Sequence, residues 1–375
     1  MDDIIVKNGI SFSQNPVEAV SQIYKDTFIG KDQYSLIFCS SNYDLKSLGT
    51  EIKKVFGERV FCCTTSGEIS SAGYTKSSIV ATGISSTKMK FHRFRINDVT
   101  DFDSEYAKKI SKEFYDLLKG SELKNAKYLG LLIIDGLSLQ EDKMIALLSK
   151  YLDTVEIVGG SSADDLRFIS THIYDDGDFK QNSAELLIIE TEIPFISFKT
   201  QHFEPTEKKL VITDADTTTR IVYEINGEKA ALEYAKILGI DVKELDTQIF
   251  AKYPVMLNVG GNWYIRSIGK MNDDYSLTFF CAIDVGLVLT VAKGNDILNN
   301  LKSQLIEIKK ELGSISLIIA FDCILRRLEV EQNNLTDEMN KILSSENIIG
   351  FNSYGEQCQF VHVNQTLTGI AFGNK

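Results

Sequence analysis

NIIGFNSYGEQCQFVHVNQTLTGIAFG, residues Asn347–Gly373, is the stretch whose reading decides the fold. Ile348 to Asn352 is a short apolar run, and a run of this length between turn residues reads as a buried strand. The polar turn SYGE (Ser353 to Glu356) follows, then a short variable excursion, then a second apolar run from Thr366 to Phe372. The turn is echoed far upstream as TSGE (Thr65 to Glu68), inside VFCCTTSGEISSAGYTKSSIVATGI, Val60 to Ile84. Both copies set a hydroxyl residue, a Gly and a Glu just beyond a strand. The Gly allows a positive backbone φ and close approach of another chain. Function is expected where these turns meet.

Working outward from the two turns, the same order of elements recurs. Asn15-Pro16-Val17-Glu18 starts a helix to about Ile29, with Asn15 as cap and Pro16 in the first turn. Ser35 to Cys39 is a strand, Asp44 opens a helix to about Phe56, and Val60 to Thr64 and Ser78 to Ile84 are strands. The second pass has a helix over Ser104 to Leu118 and a strand over Lys127 to Ile134. A capping box, Ser138-Leu139-Gln140-Glu141, then opens a helix to about Leu152. The strand Glu156 to Val158 leads into the turn GGSSADD (Gly159 to Asp165). Thr171 to Tyr174 and Glu185 to Glu190 are strands, with a hairpin around Asp176-Gly177-Asp178. The third pass has a helix over Ile297 to Leu312, a strand over Ile315 to Phe321 and a helix over Thr336 to Leu343. These passes predict an α/β protein of layered mixed sheets covered by helices, with internal pseudo-repeats.

Between the second and third passes the pattern changes. Arg220 to Ile225 reads as a strand, Asn226-Gly227 as a hairpin turn, and Glu228 to Leu238 as a helix. Tyr253 to Val259, Trp263 to Ile268, Tyr275 to Ala282 and Gly286 to Val291 read as a strand meander. A domain boundary is expected near Pro205, dividing the chain into residues 1–204 and 205–375.

Composition narrows the function. Hydrophobic residues make up 43% and charged residues 25% of the 375, which is globular rather than disordered. A net charge of -12 disfavours nucleic acid and anionic membrane surfaces as partners. The N-terminus has no secretory pattern, and the longest apolar run, Tyr128 to Ile134, is far short of the roughly 20 residues that span a bilayer. The six Cys include no CxxC and read as reduced thiols, so a cytoplasmic protein is expected.

Glu68 and Glu356 are candidates for acid/base work or for holding a ligand amine, against the alternative that each caps its own turn. Arg266, Arg326 and Arg327 suit a ligand carboxylate or phosphate through a bidentate pair, against ordinary salt bridges. GGSSADD lacks the Lys and the spacing of a phosphate loop, and GxGxxG is absent. His92, His172, His202 and His362 are scattered without ligation spacing, so no metal is expected. Cys62 and Cys63 lie in an apolar strand, and at least one of them reads as core. No GxSxG elbow is present.

The chain resembles the FIST family of bacterial signal-transduction proteins, which carry N-terminal and C-terminal FIST domains. The matching pieces are CCTTSGEI (Cys62 to Ile69), VGGSSADD (Val158 to Asp165), RIVYEINGEKAALEYAKILG (Arg220 to Gly239) and YIRSIG (Tyr264 to Gly269). FDCILRR (Phe321 to Arg327), GFNSYGEQ (Gly350 to Gln357) and VNQTLTGIAFG (Val363 to Gly373) complete the ordered set. The chain departs from the family at Leu325, where a Gly is common before the Arg, and this bears on the shape expected of that loop. The resemblance implies a sensory module that binds a small ligand, with an amino-acid-like metabolite expected, and signals to a partner protein in trans. The site would use Glu68, Arg266, Arg326, Tyr354, Glu356 and Asn364, with no catalysis and no cofactor. One branch of the family binds haem and senses nitric oxide, and that reading and an enzyme built on the Glu/Arg cleft are the alternatives.

Overall fold

In the strand Tyr34–Ser40, Leu36 and Phe38 point into one apolar cluster while Ile37 and Cys39 point into another. The strand Lys127–Ile134 divides in the same way: Leu129, Leu131 and Ile133 face one side, Leu132 and Ile134 the other. In Ile315–Cys323, Leu317, Ile319 and Phe321 oppose Ile318 and Ala320. Side chains alternate along a strand, so an unbroken apolar run demands an apolar layer on each face. The computed structural model, which describes residues 3–373, shows how this demand is met. The inner faces of three sheets share one central core. Each outer face is covered by its own helices: Pro16–Thr27 and Leu45–Phe56, Ser104–Leu118 and Glu141–Tyr151, or Ile297–Leu312 and Thr336–Ser344.

The three sheets have one connectivity. A leading strand (Ile5–Ser11, Met89–Ile96 or Phe195–Thr200) pairs antiparallel with the last strand of its repeat (Ile79–Ser85, Ala184–Thr191 or Leu367–Gly373). That last strand pairs antiparallel with the first long strand. The first long strand pairs parallel with the second, which is Val60–Thr65, Val155–Ser161 or Ile348–Ser353. The predicted recurrence of helix, strand, helix, strand, turn and strand is therefore present three times in the same strand order.

The repeats are closed on one another by exchange. Each second strand would end its sheet with an open edge, and a hairpin from another repeat covers it. Glu68–Ser70 and Gly73–Thr75, from the first repeat, extend the sheet of the third. Glu356–Cys358 and Val361–Val363, from the third, extend the second. Ile173–Asp175 and Asp178–Lys180, from the second, extend the first. The result is a ring of three.

Residues between the leading strand Phe195–Thr200 and the helix Ile297–Leu312 of the third repeat form a separate layer. Its strands run in the order Asn262–Arg266, Val255–Val259, Val288–Gly294, Phe203–Asp216, Ile221–Ile225, Leu277–Phe279 and Ile268–Met271. It packs the helix Ala230–Leu238 on its own core. Pro205 lies inside the long strand Phe203–Asp216. Asn226 and Gly227, at φ 54 and 80, form the expected tight turn.

Some local signals worked and others did not. Asn15 caps its helix, accepting from the N–H groups of Val17 and Glu18, with Pro16 in the first turn. The capping box expected at Ser138 does not form. Gln140 occupies the cap position without a side-chain bond, Ser138 donates to the Asp135 carbonyl, and Glu141 turns instead to Arg220. The segment around Leu325 is no loop: Ile324–Gln332 is a helix that begins directly at the strand end, with Leu325 buried. Among the described residues, no helix is long and apolar enough to cross a membrane.

Gly350 pairs with Ala320 of the parallel neighbouring strand, and a methyl group there would lie 1.9 Å from the Ala320 carbonyl oxygen. Gly350→Ala is expected to cost about 1–3 kcal/mol, the range for overpacking a core. Gly30→Ala, with open space around it, should change little. Urea denaturation of both variants checks this.

Candidate functional site

The turns after the three second strands meet at one end of the ring. The Ser66 N–H donates to the Asn352 carbonyl at 3.0 Å, and the Asn352 N–H returns a bond to Gly67 O at 2.8 Å. The Ser161 N–H donates to Gly355 O at 2.8 Å, the Tyr354 N–H to Ser161 O at 3.3 Å, and the Ala163 N–H to Thr64 O at 3.0 Å. Every turn thus docks on a strand end of another repeat, and the turns TSGE, GSSAD and SYGE share one hub.

Glu68 and Glu356 hold their turns by the same set of bonds. The hydroxyl three residues earlier donates to one carboxylate oxygen, Thr65 to Glu68 at 2.6 Å and Ser353 to Glu356. The residue ten positions later gives both its N–H and its hydroxyl to the other oxygen, Ser78 to Glu68 and Thr366 to Glu356. Both carboxyls are fully buried, and among the described residues neither forms an ion pair with an arginine. Among the described residues no Arg pairs with either carboxyl, because donors from the turn and from Ser78 or Thr366 already fill both oxygens.

Burial pushes Glu68 up to about 7 and Glu356 up to about 8, with the hydroxyl bonds opposing it. A carboxyl raised on folding keeps its proton in the native state after the unfolded chain has lost it. Its contribution is complete below the usual carboxylate range and is lost as pH climbs toward the folded value. Melting temperature should therefore fall between about pH 5 and 8, and Glu356→Gln, which cannot ionise, should flatten that fall. A pH series of melts of the wild type and variant measures it.

Arg326 is buried in a chain of side chains. Its Nε donates to Asp322 at 2.7 Å, its Nη1 meets Nδ1 of His202 at 3.1 Å, and Tyr74 donates to the other Asp322 oxygen. His202 carries the chain on to Glu329 at 2.9 Å. Glu329 borders a cavity of about 530 Å³ between the third repeat and the inserted layer, also lined by Lys252, Tyr253 and Lys293. Asp322 and Arg326 are both fully buried, so removing one partner strands the other charge. Asp322→Ala is expected to cost about 3–5 kcal/mol, read from denaturant unfolding. Arg327 instead braces the first turn, donating to Thr75 O at 3.0 Å and to Asn352 Oδ1 at 2.8 Å.

Arg266, Tyr354 and Asn364 come together where the inserted layer meets the exchanged hairpin of the third repeat. Arg266 Nη1 donates to His362 O at 3.0 Å, while its Nε has no partner. Asn364 Oδ1 accepts from the Cys281 thiol at 2.7 Å, and its Nδ2 donates to Tyr354 O at 3.4 Å. Gln357 Nε2 donates to His362 Nδ1 at 3.3 Å, which leaves the His362 proton on Nε2. Burial holds His362 below its usual range, in the neutral form. Its Nε2, the Gln357 Oε1 and the Ser267 Oγ are buried without partners. A methyl group on Gly355 would lie 2.7 Å from that Nε2, so only glycine lets the turn pass so close.

The sequence reading missed several members of this region. Arg220 is buried and donates to Glu141 at 2.7 Å and to Asp142 at 3.1 Å, pinning the inserted layer to the second repeat. Asp164, at the Glu position of the second turn, accepts from the N–H groups of Phe168, Ile169 and Ser170 and from the Tyr354 hydroxyl. An Arg opening a strand pattern and an acidic residue in the third matched turn were the available signals.

The remaining His are spread through the fold. His92 pairs with Glu190 at 3.0 Å and His172 with Gln181 at 3.2 Å. Cys39, Cys62, Cys63, Cys281 and Cys323 are buried. Burial pushes the thiols of Cys62, Cys63 and Cys323 up, and that of Cys281 up to about 12. Among the described residues no group of three or more His, Cys, Asp or Glu is placed to hold a metal ion.

Comparison with protein-family models finds the FIST N domain over residues 33–228 and the FIST C domain over residues 230–359. A comparison with curated proteins finds no match. The first match begins at the first long strand of the first repeat, takes in the second repeat and the leading strand of the third, and runs on into the inserted layer; the second takes in the rest of that layer and the third repeat as far as its exchanged hairpin. FIST domains are sensory domains of signal transduction that bind small ligands. By these two matches, which together cover most of its length, the chain belongs to the FIST family.

Proposed function

We propose that this protein binds a small amino-acid-like metabolite where the inserted layer meets the hub, and reports it to a signalling partner in trans without catalysis. The observation that carries the reading is the set of buried, partnerless polar atoms around Tyr354 and Asn364: Arg266 Nε, His362 Nε2, Gln357 Oε1 and Ser267 Oγ. A buried donor or acceptor left unpaired forfeits its full hydration, so a ligand that pairs them gains affinity that a dry apolar molecule would not. Two of these atoms are donors, Arg266 Nε and His362 Nε2, and suit a carboxylate. The acceptor Gln357 Oε1 suits an ammonium or amide N–H. Glu68 and Glu356 act through the turns they hold and Arg326 through its chain to Glu329, so these three are supporting groups.

The signal has a path in this reading. Gln357 and His362 lie on the hairpin that the third repeat lends to the second, and Arg266 lies in the inserted layer. A ligand bridging them would tie the layer to the hairpin and favour one arrangement of the two. A ligand shifts such an equilibrium only by its differential affinity for the two arrangements.

The test is a thermal-shift screen of the full chain against amino acids and related metabolites. A true ligand at about 100 times its Kd adds roughly 2.7 kcal/mol of stability. Arg266→Gln should abolish the shift while the ligand-free melt stays within a few degrees of the wild type. A ligand whose shift survives in Arg266→Gln and in Gln357→Leu binds elsewhere and overturns the assignment.

A further inference from the structure

The loop between the second strand of the middle repeat and its exchanged hairpin is held in an uncommon shape. Asp165, Leu166 and Phe168 have φ of 58, 61 and 52, the left-handed region that side-chain-bearing residues seldom enter. Asp164 fixes this shape through the N–H groups of Phe168, Ile169 and Ser170, at 3.0, 2.8 and 3.0 Å. Strained backbone persists only where its surroundings over-determine it. Here the outcome is the position of one side chain.

The Phe168 ring lies nearly parallel to two others. Its centroid is 4.8 Å from that of Tyr354, at 24° between planes, and 5.9 Å from that of Phe280, at 21°. Tyr354 belongs to the third repeat and Phe280 to the inserted layer, so the three rings join three parts of the chain. Phe168 remains 45% exposed, and its neighbour Ile169 is 76% exposed. An aromatic residue that is half open to water while stacked on two rings is easily exchanged for another ring.

The residues next to the two flanking rings contact members of the polar cluster and its neighbours. Gly355, after Tyr354, lies against the His362 imidazole. Cys281, after Phe280, bonds Asn364, and the Phe280 N–H donates to the carbonyl of Ser267. The stacked rings and the buried polar cluster are thus joined through adjacent residues of the same backbone.

We propose that Phe168 is an internal stand-in for a planar aromatic ligand. The ligand displaces Phe168, stacks against Tyr354 and Phe280, and offers a polar substituent to the His362, Gln357 and Arg266 cluster. The inference rests on the ligand-binding reading above and narrows its ligand to a ring-bearing molecule with a carboxylate or amide. Departure of Phe168 also frees the loop that holds it, so occupancy of the slot and release of an apolar loop tip carrying Ile169 are one event.

The test uses the full chain and two probes, L-tryptophan and L-leucine, with affinities from calorimetry. Phe168→Ala removes the competing ring, so the binding-competent form no longer has to be reached by displacement. L-tryptophan should bind Phe168→Ala at least tenfold more tightly than the wild type. Phe280→Leu in the same background should remove the gain, and L-leucine should show none. Phe168→Leu, which keeps the apolar cover but not the flat ring, serves if the alanine variant folds poorly and should bind at intermediate strength. Equal affinities in wild type and Phe168→Ala, no binding of L-tryptophan to either, or a gain that survives Phe280→Leu overturns the proposal. If L-leucine gives a shift that depends on Arg266 but not on Phe168, the sensor reading stands and the slot falls.

Discussion

An open sheet edge is the constraint on which the rest of this structure depends. A strand edge carries unpaired N–H and C=O groups that invite pairing with another chain. Each repeat has such an edge at its second strand, and each is covered by a hairpin borrowed from another repeat. Because the lending runs one way round, no repeat is complete without both others. The central core has the same property, since Phe38, Leu131 and Phe321, from three different sheets, belong to one cluster.

The buried carboxylates follow from that exchange. A hairpin must leave its own sheet sharply to reach the next, and the turn that redirects it has backbone and hydroxyl donors needing acceptors. Glu68 and Glu356 supply them in the same geometry, which is why a short GE signature survives at two distant places. The second repeat solves the problem with Asp164, whose oxygens collect donors from a longer loop and from Tyr354. That different solution places Phe168 over the hub and sets the middle turn apart from the other two.

The triple order of elements was legible because each repeat buries both faces of its long strands, giving runs such as SLIFC and ISLIIAF. The leading strands Ile5–Ser11 and Met89–Ile96 were not legible, because each is only partly buried and lacks a continuous apolar run. The helix Ile324–Gln332 was missed because it starts at a strand end with no capping side chain, although Asp322 to Arg326 and Arg327 to Glu331 are paired four apart, as on a helix face. Of the residues picked from sequence, Arg266, Tyr354 and Asn364 do assemble, whereas Glu68, Arg326 and Glu356 sit in bonded networks of their own. Spacing along a chain shows that two turns match. It cannot show that a third turn joins them, because partners such as Gly355 and Ser161 meet only through the ring.

The inserted layer departs from and returns to the ring through neighbouring backbone. Phe203 and Gly294 are paired residues at the ends of its two bordering strands. A segment whose ends already lie side by side asks almost no loop-closure entropy of its host, whatever its length. A chain of three repeats could therefore have acquired the whole layer at one point without shifting the register of any existing strand. The same narrow neck makes this the place where one inserted layer could be exchanged for another while the ring beneath it stays unchanged.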